Sequence, residues 1–194
     1  MPKKIRIIVP HTPHHIIQRG CLRQQVFLTH QDFETYRCLL SYQCERHNVR
    51  ISSYCLMPHH LHLTATPITA LGLTKAIEHT HRQYAKHIKS DRETSEEIWH
   101  DTFLSYPMRS NHFLEIARYI ERRPVAAGIV HTPLMYPWSS CMHNSKIRPD
   151  YVVTDQHWLD HFRGDWQHFV NQPSPKDIEA QIWFNITQGG SHPE

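Results

Sequence analysis

The stretch Tyr54-Cys-Leu-Met-Pro-His-His-Leu-His-Leu63 decides how this chain is read. Just upstream, from Val49 to Met57, residues alternate as a strand does: Val49, Ile51, Ser53, Cys55 and Met57 against Arg50, Ser52, Tyr54 and Leu56. Pro58-His59 then makes a tight turn, and Leu61 to Thr66 returns as the partner strand, giving a hairpin. His60 and His62 fall just past the bend. Successive strand side chains alternate faces, so these two imidazoles project from one side of the sheet. Such a pair can bind a divalent metal, and a bound metal can polarise a phosphate or carbonyl oxygen.

Histidine is abundant, with 19 in 194 residues. Random placement alone gives about two His-x-His pairs in such a chain. Two occur, His60/His62 and His79/His81. The second falls in a helical segment, where positions i and i+2 point in different directions, and is read as surface histidine. Count therefore does not separate the pairs; strand context does.

Hydrophobic content of 39% and charged content of 20% place the chain among soluble globular proteins, long enough for one domain with an appendage. The formal charge is only +3, but basic residues cluster: Arg118, Arg122 and Arg123 in one place, Arg82, Lys86 and Lys89 in another. That distribution permits a polyanionic partner. The five cysteines are odd in number and lack C-x-x-C spacing, so they read as reduced thiols and not as a disulfide frame or zinc knuckle. The apolar stretch before Pro10 is too short for a signal peptide, and no run reaches transmembrane length. Cytoplasm is the expected location, with no membrane partner.

Outward from the hairpin the elements follow in order. His14 to Arg19 reads as a first strand ending at Gly20. Thr29-x-x-Asp32 caps a helix with Phe33, Tyr36, Leu39 and Leu40 on its apolar face, ending near Asn48. A second helix, roughly Ala70 to Ile88, carries Leu73, Ile77, Tyr84 and Ile88 at helical spacing. Ile98-Trp99 and Phe103 to Tyr106 give the fourth strand. Ser110 or Asn111 caps a third helix that runs to about Arg122 before Pro124. The order β-α-β-β-α-β predicts an α+β, ferredoxin-like antiparallel sheet with two helices on one face. The third helix is left for the other face. Residues 1–145 form this domain, and 146–194 a C-terminal helical extension. Within that extension Asp155 to Val170 reads as one amphipathic helix whose stripe, Trp158, Phe162, Trp166 and Phe169, suits packing. The chain ends from Gln188 in a loose tail.

On the third helix Phe113, Ile116, Ala117 and Ile120 form the buried face, and Tyr119 sits on its flank. A flanking tyrosine either packs with its hydroxyl in water or holds a phenol where it can attack a phosphate. Arg118 and Arg122, read as exposed, can hold a DNA backbone. Arg123 is one turn on, on the Tyr119 side.

In these blocks the chain resembles the REP-associated tyrosine transposases, a branch of the single-tyrosine HUH transposases that act on single-stranded DNA. The likeness runs from about Pro10 to Asn144. It rests on His15-Ile-Ile-Gln-Arg-Gly20, Arg23-Gln-Gln-Val-Phe27, the hairpin block, Trp99-His-Asp-Thr-Phe103, Ala117-Arg-Tyr-Ile-Glu-Arg-Arg-Pro-Val-Ala-Ala-Gly-Ile-Val130 and Tyr136-Pro-Trp-Ser-Ser140, in that order. The resemblance implies that His60 and His62 hold Mg²⁺ or Mn²⁺ against a scissile phosphate. It also implies that Tyr119 attacks the phosphorus to form a 5′-phosphotyrosine link and a free 3′-OH. A phenol is a weak nucleophile at pH 7, so the metal must withdraw charge from the phosphate. Substrates would be hairpins of palindromic single-stranded DNA. Arg19, Arg82, Lys86, Arg118, Arg122 and Arg123 are the expected DNA contacts, and members act as monomers or as homodimers.

The chain also departs from the family pattern. His59 replaces an Asn before the histidine pair, His100-Asp-Thr replaces Gln-Gly-Arg, and Ala126 replaces an Arg. Arg123 replaces the Asn that sits four residues after the tyrosine, where it could complete the metal shell. An arginine there opposes the metal or grips the phosphate itself. Two readings follow: a strand transferase with a looser metal site, or a decayed or domesticated copy that binds hairpins without cleaving them.

Overall fold

The computed structural model describes residues 7–109, 112–160 and 162–188. Four strands, β1 (His14–Arg19), β2 (Val49–Met57), β3 (His60–Pro67) and β4 (Leu104–Pro107), form one sheet in the order β2-β3-β1-β4, every pair antiparallel. Helix α1 (His30–Arg46) joins β1 to β2, and α2 (Ala70–Asp91) joins β3 to β4. This is the ferredoxin-like arrangement expected from the element order.

Local chemistry accounts for the boundaries. The Thr29 hydroxyl accepts from the Asp32 amide while the Asp32 carboxylate accepts from the Thr29 amide, a full capping box at the start of α1. Met57 pairs with His60, so Pro58-His59 is the whole β2–β3 loop. That turn is pinned from outside: the Gly20 amide donates to the His59 carbonyl (2.8 Å), and the Val26 amide to the Pro58 carbonyl (2.7 Å). A Cβ at Gly20 would meet the Gln24 carbonyl oxygen at 2.5 Å and the Val26 side chain at 2.8 Å, so only glycine lets the chain pass this close.

Helices α1 and α2 cover one face of the sheet. Phe27, Phe33, Tyr36, Tyr84 and Trp99 interlock there, with the Phe27 ring stacked on Phe33 at 4.9 Å and edge-on to Tyr36 at 5.3 Å. His81 lies in this layer, not on the surface as the sequence suggested. It is buried, accepts or donates a hydrogen bond with the Tyr36 hydroxyl (3.0 Å), and packs on Trp99. Its aromatic neighbours come from distant segments, so spacing within the helix could not place it.

The other face carries α3 (Phe113–Glu121) and α4 (Arg123–Ala126), which are separate helices meeting at Arg122, with Pro124 in the first turn of α4. The expected caps Ser110 and Asn111 lie outside the described residues. Beyond them, residues 136–140 run along the outer side of β2: the Leu56 amide donates to the Trp138 carbonyl (2.9 Å), and the Ser140 amide to that of Tyr54 (3.0 Å). Helix α5 (Cys141–Asn144) follows.

The single amphipathic helix expected over Asp155–Val170 is instead two short ones, α6 (His157–Asp160) and α7 (Trp166–Asn171). Asp165 caps α7 by accepting from the Gln167 amide, which starts a new helix inside the predicted one. The aromatic stripe does pack: Trp166 and Val170, with Trp158, Phe162 and Phe169, close on Phe113 and Ala117 of α3. A last helix, α8 (Lys176–Gln188), was not legible in the sequence. The tail beyond Gln188 lies outside the described residues.

Candidate active site

Strand alternation builds one side of the site. Register pairs Arg19 with His60, Ile17 with His62 and His15 with Thr64, so His15, Arg19, His60 and His62 all leave the sheet on the α3 side. The His60 and His62 rings stand perpendicular with centroids 5.1 Å apart. The His15 and His62 rings meet edge to edge and nearly coplanar, with centroids 5.1 Å apart, and His15 Nε2 lies 2.9 Å from His62 Nδ1 in a hydrogen bond.

Helix α3 supplies the other side. The Tyr119 ring is edge-on to His62 at 5.9 Å and to His15 at 6.3 Å between centroids. Four residues on, the Arg123 guanidinium lies over the Tyr119 ring, 5.1 Å from its centre. Strand pair and helix phenol therefore converge. Tyr119 is less exposed than a flanking position suggests, at 5%.

Burial sets the protonation states. It drives His15 down to about 3, helped by the Arg123 cation, and His60 to about 3, helped by Arg123, Arg19 and His59. His62 is held well below the usual histidine range by burial, then by His60, His15, Arg123 and Arg19. All three are neutral at pH 7, so each ring has one N–H and one lone pair. Burial raises the Tyr119 phenol; Arg123 and Arg19 pull it back down, while Glu179 pushes it up.

Among the described residues no group of three or more His, Cys, Asp and Glu is placed to hold a metal ion. The two neutral imidazoles of β3 are side by side on this face. Two neutral imidazole nitrogens suit a divalent ion that takes its other ligands from water and phosphate oxygens, and Arg123 sets a cation beside them.

Of the expected DNA contacts, Arg19 and Arg123 face this site. Arg82 and Lys86 are exposed on α2, which packs on the opposite face of the sheet. The exposed placement expected of Arg118 and Arg122 needs correction. Arg118 is 6% exposed, pairs with Glu115 and lies over the Phe169 ring. Arg122 donates to the carbonyls of Val170 (2.9 Å) and Asn171 (2.6 Å). The C-terminal segment packs on what looked like the outer face of α3.

Three features escaped sequence reasoning. His15 was quoted only as part of a block, and its contact depends on β1 lying beside β3. Glu121, two residues after Tyr119, is fully buried: it accepts from Ser140 Oγ, Asn144 Nδ2 and Trp166 Nε1, tying the end of α3 to the segment beyond β2 and to α7. Burial raises its carboxyl pKa against the pull of these donors. Finally, α8 lies across the site. Ile178 and Ile182 join the apolar cluster that includes Tyr119, and Glu179 lines a crevice of about 80 Å³ with Tyr119, Arg122 and Arg123. On its other side a cleft of about 90 Å³ is lined by His15, Tyr106, Arg109, His112 and the same two isoleucines.

Residues 9–123 match the model of the family "Transposase IS200 like". The chain belongs to this transposase family. No curated protein matches it. Among solved structures, a REP-associated tyrosine transposase bound to a REP hairpin aligns over 80% of this chain and 93% of its own, with TM-score 0.60 and 16% identity. That likeness establishes the shared fold. A proposed transposase from Deinococcus radiodurans R1 aligns over 62% of this chain and 97% of its own at 19% identity and TM-score 0.43. A bacterial tRNA(His) guanylyltransferase-like protein in complex with GTP aligns over 65% and 71% at 7% identity and TM-score 0.41. At these two scores the likeness is too loose to bear on function.

Among the described residues no helix is long and apolar enough to cross a membrane.

Proposed function

We propose that this transposase cuts and rejoins single-stranded DNA at a palindromic hairpin through a covalent link to Tyr119. The observation that carries the reading is the Tyr119 ring set 5.9 Å from His62, beside a perpendicular His60/His62 pair. The relative of the same fold is bound to a REP hairpin, which supplies the substrate class.

His60 and His62 would hold Mg²⁺ or Mn²⁺. When bound, the ion supplies charge withdrawal from the scissile phosphate. Tyr119 Oη attacks the phosphorus, the bond to the 3′-oxygen breaks, and a 5′-phosphotyrosine and a 3′-OH result. The phenol gives up its proton and the leaving oxygen gains one. Reversal by another 3′-OH rejoins the strand without outside energy. Arg123 and Arg19 lower the cost of forming the phenolate and offer cations to phosphate oxygens.

Incubation with a labelled single-stranded hairpin and Mn²⁺ should give a covalent adduct on a denaturing gel, absent in Tyr119→Phe. The second reading, a hairpin binder that does not cut, is favoured by the Arg123 cation beside the two ligand candidates. It predicts shifted bands in native gels with no adduct.

A further inference from the structure

We propose that His15 is a positioning residue for the proposed metal site, fixing the His62 ring so that its Nε2 faces the cation. The inference rests on the His60/His62 reading above and adds a residue to it. His15 and His62 come from neighbouring strands, both 3% exposed, and their rings are joined between His15 Nε2 and His62 Nδ1 at 2.9 Å. His15 is the only hydrogen-bond partner of the His62 ring among the described residues.

A neutral imidazole has one N–H and one lone pair, so the bond at Nδ1 decides what Nε2 can do. If His15 donates, His62 carries its proton on Nε2 and cannot bind a cation there. If His62 donates from Nδ1, its Nε2 lone pair is free. Histidines that bind metals nearly always donate their other N–H to a partner, which fixes tautomer and ring angle together. The partner is usually a carboxylate or carbonyl; here it is a second imidazole. The rings are nearly coplanar, 23° apart, so rotation of His62 about its χ2 bond would break this in-plane hydrogen bond. The Nε2 of His15 is engaged with His62 and so is not free to bind a cation itself.

The test has two parts. Ring-nitrogen NMR of the metal-free protein should show His62 as the Nδ1–H tautomer. Mn²⁺ affinity, followed by EPR without DNA, should weaken about 10-fold or more in His15→Phe, the size expected for loss of such a partner. His15→Gln, whose amide oxygen reaches the place of Nε2, should recover most of that loss. An Nε2–H tautomer in the wild-type protein, or equal Mn²⁺ affinity in His15→Phe, would overturn the inference. Failure of the wild-type protein to bind Mn²⁺ would instead remove the metal reading of His60 and His62, and the tautomer would still decide what His15 does.

Discussion

Tyr36, Tyr84 and Tyr54 on one face of the sheet and Tyr119 on the other are held differently. On the α1/α2 face, buried tyrosines have partners: Tyr36 meets His81 Nε2 at 3.0 Å, Tyr84 donates to the Val26 carbonyl at 2.9 Å, and Tyr54 donates to Asp150. The cations are paired too, Arg37 with Asp150 at 3.0 Å and Arg92 with Asp32 at 2.7 Å. On the α3 face no described residue hydrogen-bonds the Tyr119 hydroxyl, and the Arg123 guanidinium lies over its ring, 5.1 Å from the centre. Leaving buried polar groups unmatched costs stability. Of the four tyrosines compared, Tyr119 alone has no hydrogen bond from a described residue, and it is the one beside the histidine pair.

Removing the same atom on each face gives the strongest contrast. Tyr119→Phe should abolish the covalent adduct while leaving unfolding free energy within about 0.5 kcal/mol, as expected where no bond is lost. Tyr36→Phe should leave adduct formation intact but cost about 1–3 kcal/mol in urea titration, because His81 loses its partner. Equal destabilisation by both would erase the distinction. Next, Phe27→Ala, at the centre of the aromatic layer, should cost about 3–5 kcal/mol and shift the urea midpoint accordingly.

Acid should attack the site face first. His15 and His60 titrate near 3 when folded and near the ordinary 6.5 when unfolded, and His62 is depressed as well. Between those values the unfolded chain binds more protons, so the stability these groups contribute is present above pH 6.5 and is lost as pH falls toward 3. The slope approaches about 1.4 kcal/mol per pH unit for each group. His15→Gln should flatten the metal-free stability profile in that window; an unchanged profile would remove His15 from the account. The smallest effect expected is at Arg123. Arg123→Asn takes a cation away from both ligand imidazoles and should tighten Mn²⁺ binding by a few fold, read by EPR. Weaker binding would show that Arg123 does not oppose the metal.

Local patterns in the sequence were enough for the hairpin, the strand His14–Arg19, the capping box at Thr29 and the order of elements along the chain. Each depends on residues a few positions apart. The convergence of Tyr119 with His60 and His62 was reached through resemblance to the transposases, since nothing local relates residue 62 to residue 119. His15 stayed hidden because β1 meets β3 only in the folded sheet. Arg118 and Arg122 were misplaced for a related reason: a helix pattern shows one apolar stripe, and the packing of α7 on the opposite flank depends on residues some 50 positions later. The Trp158–Phe169 stripe satisfied helical spacing, yet Gly164 and the Asp165 cap divided it.

The buried carboxylate of Glu121 reaches forward to Ser140, Asn144 and Trp166, all of them past residue 123, where the family match ends. A fragment stopped near residue 130 would keep the phenol, the imidazoles and both neighbouring arginines. It would nonetheless strand an acid group in the interior and release the far end of the helix that aims the phenol. Possession of the reacting groups and the ability to aim them are thus encoded in different thirds of this chain.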